Sequence, residues 1–409
     1  MKIRSITMFL DPGWPLDAGL ISRSGEAAQQ AAGRFDEAGY QVQTTRLATT
    51  PFPALFSGLE GDELISAVQV LEKAAVAAGF AYTAIGPALI SHPESYALIP
   101  EIISATETIF CGAEMATRQA GLSMPAVQAC AEIITKLAPL DPNGFANLYF
   151  TAIANVGGGS PFFPAAYHTG DQPGFALAVE AASLAVSAFE RADSLEAGLT
   201  DLRKTVESHA AALSKVGEDL AEKYGFSFKG IDFSLAPFPA DECSIGNAVE
   251  LIGVPEVGLH GSLAAAAMLA STLDISDFPR VGFSGLLFPQ LEDSVLAERA
   301  ANGSLTVKDL LMYSAVCGTG LDTIPLPGDT SPDEIAPLLL DLAALAMRLD
   351  KPLTARLMPV PGKQAGEPTS FDFSFFANSR VMPLSARGLS PMLRQAGEVH
   401  IQARGKNTG

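Results

Sequence analysis

The chain has 409 residues and carries 26 basic against 45 acidic side chains, a formal net charge of −19. An acidic surface of this size repels phosphate backbones and anionic headgroups, which argues against nucleic-acid and membrane partners. Hydrophobic residues make up 48% of the chain, with Gly and Pro spread along it, which is the composition of a folded protein with a large core rather than a disordered one.

Residues 3–9 read as a first strand, and Ala27, Ala31, Phe35 and Ala38 fall at helical spacing in residues 25–39. A strand over 41–47 follows, then a helix over 63–78 capped by Asp62. Residues 80–85 read as a strand closed by Gly86-Pro87, residues 96–107 as a helix and 108–111 as a strand. Pro125 sits where a first helical turn tolerates it, ahead of a helix over 126–137. The apolar run 145–155 reads as a buried strand leading into Gly157-Gly158-Gly159-Ser160-Pro161. Then come Tyr167-His168-Thr169-Gly170-Asp171, a strand over 175–179, and the longest helix pattern, 195–224.

Residues 227–235 form a short apolar run broken on one face by Asp232 and Ser234 and ended by Pro237 and Pro239. A loop with Asp241, Glu242, Cys243 and Ser244 precedes a helix, and Gly258-Leu259-His260-Gly261-Ser262 opens another. Residues 281–288 read as a strand carrying Gly282, Ser284 and Gly285, followed by helices over 293–301 and 307–316. Cys317-Gly318-Thr319-Gly320-Leu321-Asp322 leads into a strand over 323–326, and Ser331 caps a helix over 332–349. Residues 353–359 and 371–376 read as late strands, and residues 403–409 as a frayed tail. Strands and helices alternate from end to end with no linker, so residues 1–409 are expected to form one α/β domain with a mainly parallel sheet, of which a single barrel with surrounding helices is the economical form.

Four widely spaced cysteines, Cys111, Cys130, Cys243 and Cys317, make no C-x-x-C pair, so a reducing cytoplasm is the expected location. No apolar run approaches about twenty residues, and the N-terminal segment meets Asp11-Pro12-Gly13 too early for a signal-peptide core. No residue pattern names a protein partner; self-association into a homo-oligomer is the general expectation.

Polar groups gathered at a strand end beside helix starts mark a candidate site. Asp232 and Ser234, two apart in a strand, share a face, and unless they merely brace the loop a carboxylate there can serve as a general base or metal ligand. His260, flanked by glycines before a helix, can titrate near neutral pH, and the free N–H groups there suit an anion. His168 is a second orienting or acid/base candidate, and Cys317 a candidate nucleophile set against the commoner fate of a small buried hydrophobe. Ser234, Ser244, Gly258, Gly261, Ser262, Ser284 and Asp322 are the candidate substrate contacts. Asp322 and Asp329 bracket a Pro/Gly loop where a divalent cation is one reading and local backbone bonding the other. No P-loop, G-x-G-x-x-G, H-E-x-x-H or G-x-S-x-G pattern occurs, so no nucleotide cofactor is expected, and the metal state stays open.

The segments Asp232-Phe-Ser-Leu-Ala-Pro-Phe-Pro239, Gly258 to Ser262, Gly282-Phe-Ser-Gly-Leu-Leu-Phe-Pro289 and Cys317 to Asp322 with Pro327-Gly-Asp-Thr330 resemble, in this order, uncharacterised protein family 0210, also catalogued as domain of unknown function 711. The opening Ile3-Arg-Ser-Ile-Thr7 is similar to that family's start. The resemblance implies an α/β barrel of about ten strands related to glycyl radical enzymes such as pyruvate formate-lyase, and no settled reaction. Those enzymes need a loop cysteine inside the barrel and a glycine in an Arg-Val-x-Gly context. Cys317 suits the first requirement, but Arg380-Val381 is followed by Met382-Pro383, and Arg387-Gly388 matches poorly. The expectation is therefore a cytoplasmic enzyme of hydrolase or lyase type, with Asp232 and His260 as acid/base pair, acting on a small polar or anionic metabolite. The alternatives are a non-catalytic small-ligand sensor on the same scaffold and, after it, thiyl-radical or nucleophile chemistry at Cys317.

Overall fold

The computed structural model describes residues 1–170 and 172–404; Asp171 and the last five residues of the tail expected to fray lie outside the described residues. Among the described residues eleven strands share one sheet: β1 (Lys2–Leu10), β2 (Val42–Thr49), β3 (Tyr82–Ala88), β4 (Ile109–Thr117), β5 (Gly121–Ser123), β6 (Phe150–Ala154), β7 (Gly174–Glu180), β8 (Ser227–Asp232), β9 (Gly320–Pro327), β10 (Leu353–Val360) and β11 (Glu398–Val399). The path runs β8-β7-β1-β2-β3-β4-β6-β10-β9, with β5 and β11 appended beside β4. Pairing is parallel within β1-β2-β3-β4-β6, within β7-β8 and within β9-β10. It reverses at β1-β7 and β6-β10, so the two outer pairs run against the central five.

Period-two alternation divides the side chains between two faces. Ile3, Ile6, Leu47 and Ile85 pack into the main core with helix residues such as Phe35, Val68 and Leu71. Their neighbours on the other face, Phe9, Ala48, Ala84, Phe110 and Ala176, form a separate cluster under Phe163 and Ala166 of the loop after β6. Helices cover the first face; loops fill the second. Among the described residues no helix is long and apolar enough to cross a membrane.

Several expected elements differ. The run 145–155 divides into a 3-10 turn, Phe145–Tyr149, and β6, because Gly144 is left-handed and Asp141 Oδ1 accepts from the N–H groups of Asn143 (2.8 Å) and Phe145 (3.3 Å), which winds the chain before it can extend. The helix expected over 96–107 is a 3-10 stretch, Pro93–Leu98, followed by the short helix Ile99–Ser104. Residues 371–376 form no strand: Asn378 bonds both backbone groups of Phe371 (2.7 and 3.0 Å), and the alternating phenylalanines cluster on Phe145 rather than on a sheet face. Residues 281–288 likewise lack a ladder. That segment makes single parallel bridges instead, Ile231 to Arg280 and Leu235 to Leu286 on the β8 side and Pro289 to Asp322 on the β9 side.

Two ladder irregularities position charged groups. Between β1 and β7 the register slips from Ile3 opposite Val179 to Ser5 opposite Ala178, leaving Arg4 as the extra residue. Between β10 and β9 it jumps from Ala355 opposite Leu321 to Leu357 opposite Ile324, so Asp322 and Thr323 together face Arg356. Such bulges turn a side chain away from plain alternation. Thr323 has φ +49°, an unfavourable conformation for a β-branched residue, and it lies in this second bulge.

Candidate active site

On the loop-covered face lies a cavity of about 130 Å³. Its wall takes Arg4 and Ser5 from β1, Thr44 and Arg46 from β2, Asp232 at the end of β8, Asp322 from β9 and Arg356 from β10, with Ser234 and Glu292 beside them. Phe110, Phe162, Phe163, Phe373 and Phe375 supply most of the aromatic surface. The site was expected at strand C-termini. That holds for Asp232, whereas Tyr82 and Phe110 reach the same cavity from the N-terminal ends of β3 and β4. Reversal of strand direction at β1-β7 brings opposite strand ends to one place.

Asp232 is fixed by the 281–285 turn. Its Oδ2 accepts from the Phe283 N–H (2.9 Å), its Oδ1 from the Ser284 N–H (2.9 Å), and the Ser234 hydroxyl donates to Oδ1. Ser284, held at φ +43°, also accepts from the Phe233 N–H (3.2 Å). Only glycine suits position 282: φ is +66°, and a Cβ would lie 2.2 Å from Asp232 Oδ2. Burial pushes the Asp232 carboxyl above its ordinary range, although its three hydrogen bonds pull the other way.

Three guanidiniums line the same cavity. Glu292 pairs with Arg4 and, at 2.8 Å, with Arg356, whose Nε also donates to Asp322 Oδ1 at 2.6 Å. Burial pushes Glu292 up, but Arg4 and Arg356 outweigh it and hold the carboxylate below its usual range. Asp322 shifts the other way overall: burial pushes it up, and Glu292 beside it adds to this against the pull of Arg356. Arg46 stands apart. Its Nε donates to Thr44 Oγ1 (2.9 Å) and its guanidinium lies over the rings of Phe163 (5.0 Å) and Tyr82 (5.7 Å). Burial, with Arg4 and Arg356 nearby, lowers its pKa to about 9.

The cavity therefore gathers Asp232, Ser234 and Asp322, with Ser284 behind Asp232, out of the candidates drawn from the sequence. The rest lie elsewhere. Ser244 donates to Asp293 Oδ1 (2.6 Å), and Asp293 in turn accepts from the N–H groups of Ile245 (2.7 Å), Val295 and Leu296 (both 3.0 Å), stapling the starts of two helices. His168 is buried where its N–H donates to the Thr49 carbonyl (2.9 Å), off the cavity wall. Cys317 is buried in the main core, its Sγ accepting from the Gly320 N–H (3.4 Å). Asp329 is not with Asp322 but accepts from the Gln364 amide (3.2 Å). Among the described residues no group of three or more His, Cys, Asp and Glu is placed to hold a metal ion.

His260 is exposed and does not meet Asp232 across the cavity. The turn around it has its own structural cause. The Ser262 hydroxyl accepts from the Gly258 N–H (3.1 Å) and donates to the Leu259 carbonyl (2.8 Å), while a Cβ on Gly258, at φ +108°, would lie 1.9 Å from the Ser304 carbonyl oxygen. Gly261, at φ +112°, caps the helix Ser262–Asp274. Gly258→Ala is accordingly expected to cost more than about 2 kcal/mol, read as a lower melting temperature with or without ligand. Unchanged melting would return this turn to the candidate binding groups.

Arg4, Arg46, Arg356 and Glu292 were not among the sequence candidates. The signal available for them is a guanidinium inside an apolar strand run, as in Leu353-Thr-Ala-Arg356-Leu-Met358, because arginine is rarely buried without a partner.

The chain matches the family described as "Uncharacterised ACR (DUF711)" over residues 1–378. It is 27% identical over 397 residues to a UPF0210 protein of Oenococcus oeni, spanning 93% of this chain and 88% of the relative. A UPF0210 protein of Pelotomaculum thermopropionicum is 30% identical over 402 residues, 93% of this chain and 86% of the relative. One of Neisseria gonorrhoeae is 28% identical over 377 residues, 88% and 83% respectively. Coverage of this extent, together with the ordered motifs around Asp232, Gly258, Gly282 and Cys317, makes the chain a member of the uncharacterised DUF711/UPF0210 family.

Proposed function

We propose that this protein is an enzyme of hydrolase or lyase type that takes a small polar or anionic metabolite into the cavity and uses Asp232 as its acid/base group. The observation that carries this reading is a buried carboxyl with a raised pKa, oriented by fixed donors on the wall of a cavity beside three guanidiniums. A general acid or base works best when its pKa lies nearer the operating pH than an exposed aspartate's does. His260 leaves the role of partner. The buried guanidiniums take the place assigned to helix N–H groups in stabilising negative charge. The four free cysteines support a reducing cytoplasm as the working compartment.

We read the sheet as closing through the segment 279–290, supported by its bridges to β8 and β9. On that reading the cavity is the interior of an α/β barrel of about ten strands, the architecture implied by the likeness to glycyl radical enzymes, with the strand direction reversing at β1-β7 and β6-β10. The radical chemistry does not follow: Arg380-Val381 meets Met382-Pro383, and Cys317 lies off the cavity wall.

A thermal-shift screen of metabolites and divalent cations on the wild type, Asp232→Asn and His260→Ala tests the reading. A ligand that binds the folded state raises its melting temperature. Hits weakened in Asp232→Asn and kept in His260→Ala are expected. Hits unchanged in both variants overturn the site, and ligands that bind but are never turned over favour a sensor.

A further inference from the structure

We infer that the cavity takes a small organic monocarboxylate, its carboxylate seated on Arg46 and its apolar body among the aromatic rings. The inference rests on the proposal that this cavity is the ligand site, and it names the ligand's chemistry. The cavity wall carries three guanidiniums, and two of them are already engaged: Arg4 by Glu292, Arg356 by Glu292 and Asp322. Arg46 faces the cavity with one neutral partner, the Thr44 hydroxyl, and among the described residues no carboxylate lies within ion-pair distance of it. Glu180, behind this wall, accepts from the Gln43 amide (3.0 Å) instead. Glu292 and Asp322 are turned to Arg4 and Arg356, and Asp232 is bonded to Ser234 and the 283–284 backbone, so none of these carboxyl groups pairs with Arg46. A buried cation without a counter-ion is costly, and a ligand anion removes that cost.

Three features narrow the anion. First, the guanidinium fork matches the two oxygens of a carboxylate. Second, a phosphate monoester brings roughly 1.5 to 2 negative charges against the one guanidinium of the wall that has no carboxylate partner. Third, the surroundings of Arg46 are apolar. Phe163 and Tyr82 lie against the guanidinium, Phe110 packs on both rings, and Leu148 and Ala178 also line the wall. At about 130 Å³ the cavity is close to the roughly 150 Å³ cavity that admits benzene. The ligand is therefore one charged group on a body of about benzene size or smaller.

Isothermal titration of the full chain with acetate, butyrate, benzoate, neutral benzamide and inorganic phosphate tests this, on the wild type, Arg46→Met, Arg46→Lys and Asp232→Asn. The wild type is expected to bind butyrate or benzoate, with benzoate at least about tenfold tighter than benzamide. Arg46→Met is expected to weaken the carboxylates by about 10-fold to 100-fold, the range of a charge-assisted pair, and to leave benzamide within about twofold. Arg46→Lys should recover part of the loss and stands in if the methionine variant fails to fold. Equal binding of benzoate and benzamide, carboxylate binding unchanged in Arg46→Met, or no carboxylate bound to folded wild type overturns the inference; phosphate bound tighter than any carboxylate does so in favour of a phosphorylated ligand. Asp232→Asn separates this from the catalytic proposal. Carboxylate binding weakened less there than in Arg46→Met supports the Arg46 seat however turnover responds, and turnover retained there sinks only the acid/base role.

Discussion

Glu292→Gln lowers the unfolding free energy at neutral pH by about 3–5 kcal/mol, the usual cost of removing one partner from a buried ion pair. The side chain is 6% exposed and serves both Arg4 and Arg356, so its neutralisation leaves two guanidiniums competing for Asp322 alone. Because Arg4 and Arg356 hold the Glu292 pKa below its unfolded value despite burial, its contribution is present above the ordinary glutamate range and is lost as pH falls through the folded value. Melting curves of wild type and variant should therefore converge in acid and separate towards neutrality. Arg46→Met should behave differently: it removes a charge with no acidic partner, and the apo protein should melt at or above the wild-type temperature. A comparable loss of stability in both variants would contradict the distinction between the paired and unpaired arginines.

Asp232→Asn should reduce turnover by about 10²–10⁴, the usual contribution of a general acid or base, while the fold survives. The amide keeps one acceptor oxygen for the donors of the 283–284 turn, but its NH2 meets another N–H, at a cost of about 1–2 kcal/mol. Here the pH dependence takes the opposite sign. The folded pKa of Asp232 is raised, so its stabilising share is complete below the unfolded value and is lost as pH rises through the folded one. The melting gap favouring wild type over Asp232→Asn should narrow from pH 4 towards pH 8, where the gap over Glu292→Gln widens. A gap over Asp232→Asn that grows with pH would show the carboxylate to be stabilised by its donors rather than destabilised by burial.

The alternation of strands and helices was legible because hydrophobic period and capping residues are local. Ser331, capping the helix Pro332–Leu349 with Glu334 accepting from its N–H (3.0 Å), is an example, whereas Asp62, read as a cap, lies inside the helix Gly61–Ala77. Asp232 and Ser234 were also legible, as polar groups interrupting a buried run, while Asp322 drew notice only as one end of a Pro/Gly loop. The arginine network was not, since Arg4 and Glu292 lie 288 positions apart and no spacing rule joins them. The bulge at Arg4 and the paired residues Asp322 and Thr323 opposite Arg356 belong to ladder register, which a single strand does not encode. His260 misled for a physical reason. Glycines beside a histidine suggest a ligand cradle, yet Gly258 is required by the Ser304 carbonyl, and the backbone geometry of a ligand cradle and of a tight chain crossing looks the same from the sequence.

The span of the arginine network also bears on how the protein is made. Arg4 leaves the ribosome 288 positions ahead of its partner Glu292, and Arg356, Phe373 and Phe375 follow later still. Neighbouring strands such as β1 and β2 can pair early, since their contacts are close in sequence. Until Glu292 emerges, however, the nascent chain carries Arg4 without its ion-pair partner, and the aromatic lining still lacks Phe373 and Phe375. The cavity wall is thus complete only once Phe375 has emerged, and a chain released before that point lacks part of it.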